Sequence, residues 1–346
     1  MRAAVFKGPG IPLQIENRPE PNPREGQIVV KIGRCGICGS DVHMTSGEGP
    51  MFEVGTVLGH EYAGEVVAVG RDVDGIGVGD NVTVLPMTGC GVCAACVAGE
   101  PLWCSACRYM IGGFGEYVLA DARYAVRLPS CLSPADGALG EPLASALQAV
   151  RLSGLDVGAR VLVLGAGAIG LGVVYWLRRL GAGIIVATAR SRRNEGIVHE
   201  MGVSGFIAQG ERFDESVMKM FGGKPDIVFD CAGHPGVFSQ AVDVVRPKGT
   251  VVGAAVCFHP ENFVVGNANW KQLRIQFSST SVPGFYPCSR YDVIWRPRAS
   301  GHGQRHHKIG KFAVHIGRNS SRGGSTLQNH GRSFSLTNSI RVARRV

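Results

Sequence analysis

The sequence predicts an α/β protein of two domains, a mostly β domain followed by a doubly wound parallel one. Three observations carry this. The chain has 346 residues, more than one hydrophobic core ordinarily serves. Residues 1 to about 150 hold short β-prone runs broken by Gly, Pro and Asp. From about residue 151 the rhythm becomes strand, glycine turn, apolar helix, strand, the βαβ alternation of a parallel sheet.

The elements follow in order. "GQIVVKIG", "YAGEVVAVG", "DNVTVLP" and "EYVLADARYAVRLP" are the strands of the first domain. "ARVLVLGAGAIGLGVVYWLRRLGAGIIVAT" opens the second, and "PDIVFDCAG" and "KGTVVGAAV" add further buried strands. At 45% hydrophobic and 18% charged residues the chain can bury a substantial core. It holds no run of about 20 apolar residues, so no membrane span is expected. The start "MRAAVFKGPG" lacks the apolar run of a signal peptide. A cytoplasmic protein with reduced thiols is therefore expected. In that compartment eleven cysteines suggest metal binding more than disulfides.

The net charge of +9 is unevenly spread. Residues 284–346 hold 12 Lys/Arg and the single acid Asp292, whereas residues 1–283 hold 24 Lys/Arg and 26 acids. The body is nearly neutral, so a uniform nucleic-acid-binding surface is not implied for it.

The strongest chemical signal is "GCGVCAACVAGEPLWC". It spaces Cys90, Cys93, Cys96 and Cys104 as C-x2-C-x2-C-x7-C, and four thiolates so close can wrap one tetrahedral zinc ion. The last gap is too long, and no proline follows, for the common iron–sulfur pattern. Four closed ligands make a structural site. Cys107 follows as a spare thiol. "RCGICGSDVH" pairs Cys35 with Cys38, which by itself reads as a redox dithiol, half a zinc site or two unrelated thiols. In "GHE", His60 and Glu61 are neighbours, and both can reach one ion only where the backbone turns. "VLVLGAGAIG" places Gly165-x-Gly167-x-x-Gly170 between an apolar strand and a helix. That is the context in which a glycine loop cradles a dinucleotide pyrophosphate on a helix N-terminus.

Taken together these motifs identify a resemblance. Gly59-His60-Glu61-x2-Gly64-x5-Gly70-x2-Val73, "GICGSD", the four-cysteine lobe, "GVGDNV", "GEPLA" and the glycine loop occur in one order. Over about residues 1 to 278 the chain resembles the zinc-containing alcohol dehydrogenases of the medium-chain dehydrogenase/reductase superfamily. In style it is similar to their polyol and threonine dehydrogenase branch.

The resemblance implies a GroES-like β domain over 1–150, with its structural zinc lobe at 89–107, and a Rossmann domain over 151–282. The active site would lie in the cleft between them. It implies two zinc ions per chain, one catalytic and one structural. Cys38 and His60 would hold the catalytic ion with an acid, either Glu61 or Glu141 of "GEPLA", leaving a position open for water or substrate. By its place in the sequence Glu141 also reads as a helix N-terminal carboxylate. Ser40 and His43 correspond to the proton relay, in which an alcohol proton leaves by Ser40 and the cofactor ribose to His43. The plainer reading makes Ser40 a helix cap and His43 merely exposed. Cys35 would be a packing residue. Gly165, Gly167, Ala168, Ile169, Gly170, Ala232 and Gly233 would line the cofactor. Met44, Met51 and Phe52 are candidate apolar lining residues for the substrate.

The cofactor choice turns on the end of the second strand. Ala189 stands where NAD-using relatives carry a ribose-binding acid, and Arg190, Arg192 and Arg193 follow. Arginines without that acid favour a 2′-phosphate, so NADP(H) is expected over NAD(H), with Ala189, Arg190 and Arg193 at the site. The alternative is a solvated charge run in a loop.

The chain departs from the family after about Ser278. Residues 283–346 form an atypical basic tail where relatives have the segment that completes the catalytic domain. Only 13 of the last 63 residues are Leu, Ile, Val or Phe. The Arg/Ser/Gly/His-rich text resembles a translated wrong frame, with a frameshift near residues 279–285 as the expectation. The expected activity is reversible hydride transfer between a primary or secondary alcohol, or a polyol, and NAD(P)+. The partner is a small-molecule alcohol or carbonyl, and the family implies a homo-oligomer, dimer or tetramer. The alternatives are an impaired zinc- and nucleotide-binding homologue, or a nucleic-acid-binding protein acting through the tail.

Overall fold

The computed structural model describes residues 1–49, 52–208, 210 and 212–279. The basic tail with its frameshift reading, and Met51, lie outside the described residues. These divide into two compact units, one from Met1 to Leu139 and one beginning at Gly140. Among them no helix is long and apolar enough to cross a membrane.

In the first unit a hairpin pairs β1 (Arg2–Val5) with β2 (Gln14–Asn17). Then come β3 (Gln27–Cys35), α1 (Gly39–Ser46), β4 (Tyr62–Val69) and β5 (Asn81–Val84). A small ribbon of β6 (Met87–Thr88) and β7 (Arg108–Tyr109) brackets the cysteine-rich lobe and its short helix α2 (Ala94–Val97). Strands β8 (Tyr117–Asp121) and β9 (Ala125–Arg127) and the one-turn helix α3 (Pro134–Gly137) complete the unit. The main sheet is antiparallel, in the order β8-β3-β4-β5-β9. Its inward residues Ile28, Val30, Tyr62, Val66, Val82, Val84 and Val118 form one buried cluster.

Register matters most where β3 meets β4. Two irregularities, at Val29/Val30 and Ile32/Arg34, bend β3, as β-bulges do beside functional sites. The pairing ends with Cys35 opposite Tyr62, and Gly36 N–H donates to the Glu61 carbonyl at 2.8 Å. The stretch leaving β3 and the stretch entering β4 are thereby held side by side.

The second unit starts with α4 (Gly140–Leu152) and alternates strictly from there. It runs β10 (Arg160–Leu164), α5 (Ala168–Arg179), β11 (Ile184–Ala189), α6 (Glu195–Glu200) and β12 (Gly205–Ala208). It continues with α7 (Phe213–Phe221), β13 (Ile227–Asp230), α8 (Val237–Val244), β14 (Thr250–Gly253), α9 (Val265–Trp270) and β15 (Arg274–Phe277). All six strands are parallel, in the order β12-β11-β10-β13-β14-β15. Counted from β10 this is 3-2-1-4-5-6, the doubly wound dinucleotide-binding order, whose switch point lies between the first and fourth strands. Helices cover both faces, so β13 and β14 are buried along their whole lengths. Trp176, fully buried on α5, donates Nε1–H to the Leu143 carbonyl at 2.7 Å and pins α4 to α5.

Asp226 ties the starts of three elements together. Its carboxylate accepts from Arg160 N–H at 2.7 Å, the Arg160 guanidinium at 3.2 Å and Arg246 Nε at 2.6 Å. Burial alone would raise this carboxyl, but the Arg160 and Arg246 donors outweigh it and hold it well below the usual carboxylate range. The folded value is depressed, so the stabilisation is present above the unfolded value, about 4, and is lost as pH falls below it. Asp226→Asn is expected to cost about 1–3 kcal/mol at neutral pH. Urea unfolding at a series of pH values should show the gap to wild type closing below pH about 4.

Candidate active site and zinc lobe

The β3–β4 register builds the first site. Cys38 stands three residues beyond the end of β3, and His60 and Glu61 stand just before β4. Donor atoms of Cys38, His60 and Glu61 all lie within 4.8 Å of one another. The turn that two adjacent ligands require is made at Gly59, with φ +88°. A Cβ there would meet the Phe114 ring at 2.6 Å and Cys35 Sγ at 3.0 Å. Gly36 likewise leaves room for the Glu61 carboxylate, which a Cβ would strike. Glu61 is buried. One thiol, one imidazole and one carboxyl converging in this way suit a zinc ion with an open position.

Asp41 completes the setting and was not singled out from the sequence. It is buried in the first turn of α1, where Oδ2 accepts Cys38 N–H at 2.9 Å. Its Oδ1 has no hydrogen-bond partner among the described residues and lies 3.6 Å from His60 Nδ1. A carboxylate beside Nδ1 favours the proton there and leaves the lone pair on Nε2. The signal was present in "GSD": an acid at the third position of a helix reaches back to the N-cap backbone.

The other predicted residues of this unit fall as follows. Cys35 is outside the three-donor group. Its Sγ packs on Gly59 and Gly113 and contacts the Gly36 carbonyl at 3.3 Å. Burial first, then the charges of Asp41 and Glu61, push its thiol well up. Ser40 is the second residue of α1, and Cys38 holds the cap position, so the capping alternative for Ser40 does not hold. Met44 is buried on α1, and Phe52 packs at the edge of the core cluster of Phe6, Leu13 and Leu58. Glu141 lies in the second unit, buried in the first turn of α4, where Oε1 accepts from Ser145 Oγ at 3.0 Å.

The second cluster gathers Cys90, Cys93, Cys96 and Cys104, again within 4.8 Å. Backbone N–H groups aim at its sulfurs: Cys93 N–H at Cys90 Sγ (3.3 Å), and Cys90 and Ala106 N–H at Cys104 Sγ (3.4 and 3.3 Å). Donors from Val92 and Cys93 bring the Cys90 thiol down to about 6, and those from Cys90 and Ala106 lower Cys104. Cys96 receives the Gly91 N–H, but desolvation and its bonds to the other sulfurs push it up to about 12. Backbone donors aimed at Cys90 and Cys104 favour the thiolate, the form in which cysteine binds zinc. Gly89 is required beside them, since a Cβ would strike Cys96 Sγ. Cys107 is not one of the four, and its thiol is raised by desolvation and by Cys104.

The glycine loop crosses from β10 to α5 at the switch point. Gly165 has φ +105°, and a Cβ on it would meet Ala232 N at 2.9 Å. Ala232 and Gly233, just beyond β13, are therefore packed against the loop. Their N–H groups donate to Asp230 Oδ1 at 2.9 and 3.1 Å, and burial raises the Asp230 carboxyl. Gly170 lies so close to the Gly165 carbonyl that a Cβ would overlap it. Gly167 caps α5 and faces open space, with nothing within 4 Å of where its Cβ would be. Ala168 and Ile169 form the first turn, whose N–H groups have no intrahelical partner. Open space before a twelve-residue helix fits a pyrophosphate.

Ala189 is the last residue of β11. Arg190 and Arg193 are exposed, whereas Arg192 pairs with Glu195 at 2.7 Å. Asn194, unremarked in the sequence, donates Nδ2–H to the Ala166 carbonyl at 2.8 Å and fastens this arginine turn to the glycine loop.

Residues 24–130 match the alcohol dehydrogenase GroES-like domain model, and residues 168–289 match the zinc-binding dehydrogenase model. The chain is 35% identical over 274 residues to the (R,R)-butanediol dehydrogenase of Bacillus subtilis, covering 73% of this chain and 78% of that one. Among solved structures it is similar to a zinc-binding dehydrogenase of Sinorhizobium meliloti 1021 bound to NADP. That similarity has a TM-score of 0.76 and 29% identity, over 91% and 89% of the two chains. It is also similar to an alcohol dehydrogenase of E. coli CFT073 complexed with NADH, with a TM-score of 0.74 and 29% identity over 82% and 85%. By motif, fold and sequence the chain belongs to the zinc-containing alcohol dehydrogenase family of the medium-chain dehydrogenase/reductase superfamily.

Proposed function

We infer that this protein catalyses reversible oxidation of a primary or secondary alcohol, or a polyol, to the carbonyl compound, with a nicotinamide cofactor as hydride acceptor. The observation that carries the reading is the convergence of donor atoms of Cys38, His60 and Glu61 within 4.8 Å of one another, a mixed thiol, imidazole and carboxyl set one short of the four ligands zinc takes. Cys38 and His60 hold the catalytic zinc, with Glu61 or Glu141 as its acid, and Cys90, Cys93, Cys96 and Cys104 hold a structural one. Gly165, Gly167, Ala168, Ile169, Gly170, Ala232 and Gly233 receive the dinucleotide. When bound, the ion would supply Lewis acidity and the nicotinamide a hydride acceptor. The protein's own residues position and deprotonate: Ser40 receives the alcohol proton and His43 passes it to water. A relative named as a butanediol dehydrogenase favours a dehydrogenase over an impaired homologue or a nucleic-acid binder. A dimer or tetramer belongs to the same reading.

The cofactor is NADP(H). Supporting this, β11 ends in Ala189, with no acid to repel a 2′-phosphate, and Arg190 and Arg193 are exposed beside it without an ion-pair partner among the described residues. The test is a turnover screen over alcohols, polyols and hydroxy-amino acids with both cofactors, alongside zinc analysis. Turnover, two zinc ions per chain and a lower KM for NADP+ are expected. The double variant Ala189→Asp, Arg190→Ala should move the cofactor preference toward NAD+ by roughly 10–100-fold, the worth of one or two charge-assisted hydrogen bonds. A wild-type preference for NAD+ would sink the NADP assignment, and no turnover on any alcohol would sink the function.

A further inference from the structure

His43 and Glu48 are brought together by the way α1 ends. Gly47 takes the left-handed conformation, φ +91°, that helices use to stop. Glu48 N–H donates to the His43 carbonyl at 2.8 Å and Gly47 N–H to the Met44 carbonyl at 3.3 Å. These are the 6→1 and 5→2 bonds of a Schellman motif, and Ser46 Oγ also donates to the His43 carbonyl, at 2.9 Å. Glu48 is thus fastened by its backbone to the residue whose ring its side chain meets. Its Oε2 lies 2.7 Å from His43 Nδ1.

The chemistry of the pair is one-directional. An ionised carboxylate has no hydrogen to give, so the hydrogen between them belongs to His43 Nδ1. The neutral ring then keeps its lone pair on Nε2.

We propose that Glu48 is a positioning residue of the proton relay, fixing His43 as its Nδ1–H tautomer so that Nε2 is the nitrogen that accepts the proton. The proposal rests on the reading of His43 as the relay's outer member. The step balances without any redox change. A proton arriving at Nε2 turns the neutral imidazole into imidazolium, Glu48 stays ionised and offsets the new charge, and the ring returns to neutral by releasing one proton to water. The plainer possibility is that the pair only finishes α1, and the two make different predictions.

The first measurement is a 15N-edited histidine spectrum of the full-length protein at a pH where His43 is neutral, its signals assigned by their loss in His43→Gln. This readout needs no turnover. Wild type is expected to show the Nδ1–H tautomer, Glu48→Gln to keep it through its amide oxygen, and Glu48→Ala to shift the population to the other tautomer. The second measurement is kcat for alcohol oxidation. Glu48→Ala should lower it by up to about fivefold, the most a half-exposed pair ordinarily confers, and should lower it no further in a His43→Gln background. An Nε2–H ring in wild type, an unchanged tautomer in Glu48→Ala, or an equal loss of kcat in the His43→Gln background overturns the role of Glu48. A locked tautomer in a protein with no turnover on the alcohol panel overturns instead the dehydrogenase reading beneath it.

Discussion

Replacing Cys38 by alanine is expected to abolish turnover and to remove one of two zinc ions per chain, whereas Cys35→Ala keeps most of the activity and both ions. The two cysteines are three residues apart, yet they serve different ends. Cys38 sits where Asp41 grips its backbone N–H, with its donor atom within 4.8 Å of those of His60 and Glu61. On the proposed assignment, losing the Cys38 thiol would leave an imidazole and a carboxyl, too few to keep the ion against water. Cys35 is a ladder residue of β3, opposite Tyr62, with its sulfur against Gly59 and Gly113. Its loss leaves a small void worth about 1 kcal/mol. Metal analysis and kcat/KM on both variants decide the matter. Equal damage from Cys35→Ala would restore a paired-thiol reading of "CGIC".

Gly170→Ala is the second large effect. The added methyl would overlap the Gly165 carbonyl, which is backbone and cannot rotate away. Helix α5 would have to lift from β10, and since α5 is buried from Gly170 to Leu177 the displacement is felt through the core. A cost of about 3 kcal/mol is expected, with loss of cofactor binding. Gly167→Ala is the informative contrast. Its methyl meets nothing within 4 Å, so the fold should melt as wild type does. The methyl then stands in the space a pyrophosphate would use, and cofactor affinity alone should fall. Thermal melts and cofactor titrations by fluorescence separate the two cases. Similar melting losses in both variants would contradict this account of the loop.

Much of this was legible because it is local. β-Prone runs broken by Gly, Pro and Asp predicted β3, β4 and β5, and the run from Ala159 to Thr188 predicted strand, loop, helix and strand in place. Spacing alone marked the four thiols. Other features depend on where a side chain swings or which distant strand it meets. The Cys35–Tyr62 register, which brings Cys38 to His60, joins residues 27 apart and leaves no local trace. The hairpin of β1 and β2 and the β6–β7 ribbon are short pairings that composition does not announce. Asp41, Glu48 and Asn194 act through bonds at helix ends and turns, where one rotamer makes the contact and another does not.

The close of β3 against β4 also bears on how the protein reaches its native state. A slip of one residue in that pairing would send alternate side chains to the opposite face and carry Cys38 away from His60 and Glu61. An ion held by all three therefore binds only the correctly aligned pair. Its binding free energy is added to that alignment and to no competing one, growing as RT ln(1 + [L]/Kd). On this account the catalytic metal also acts as a proofreader of strand alignment. Folding in the presence of chelator would remove that increment and leave burial of Ile28, Val30, Tyr62 and Val66 alone to select the register.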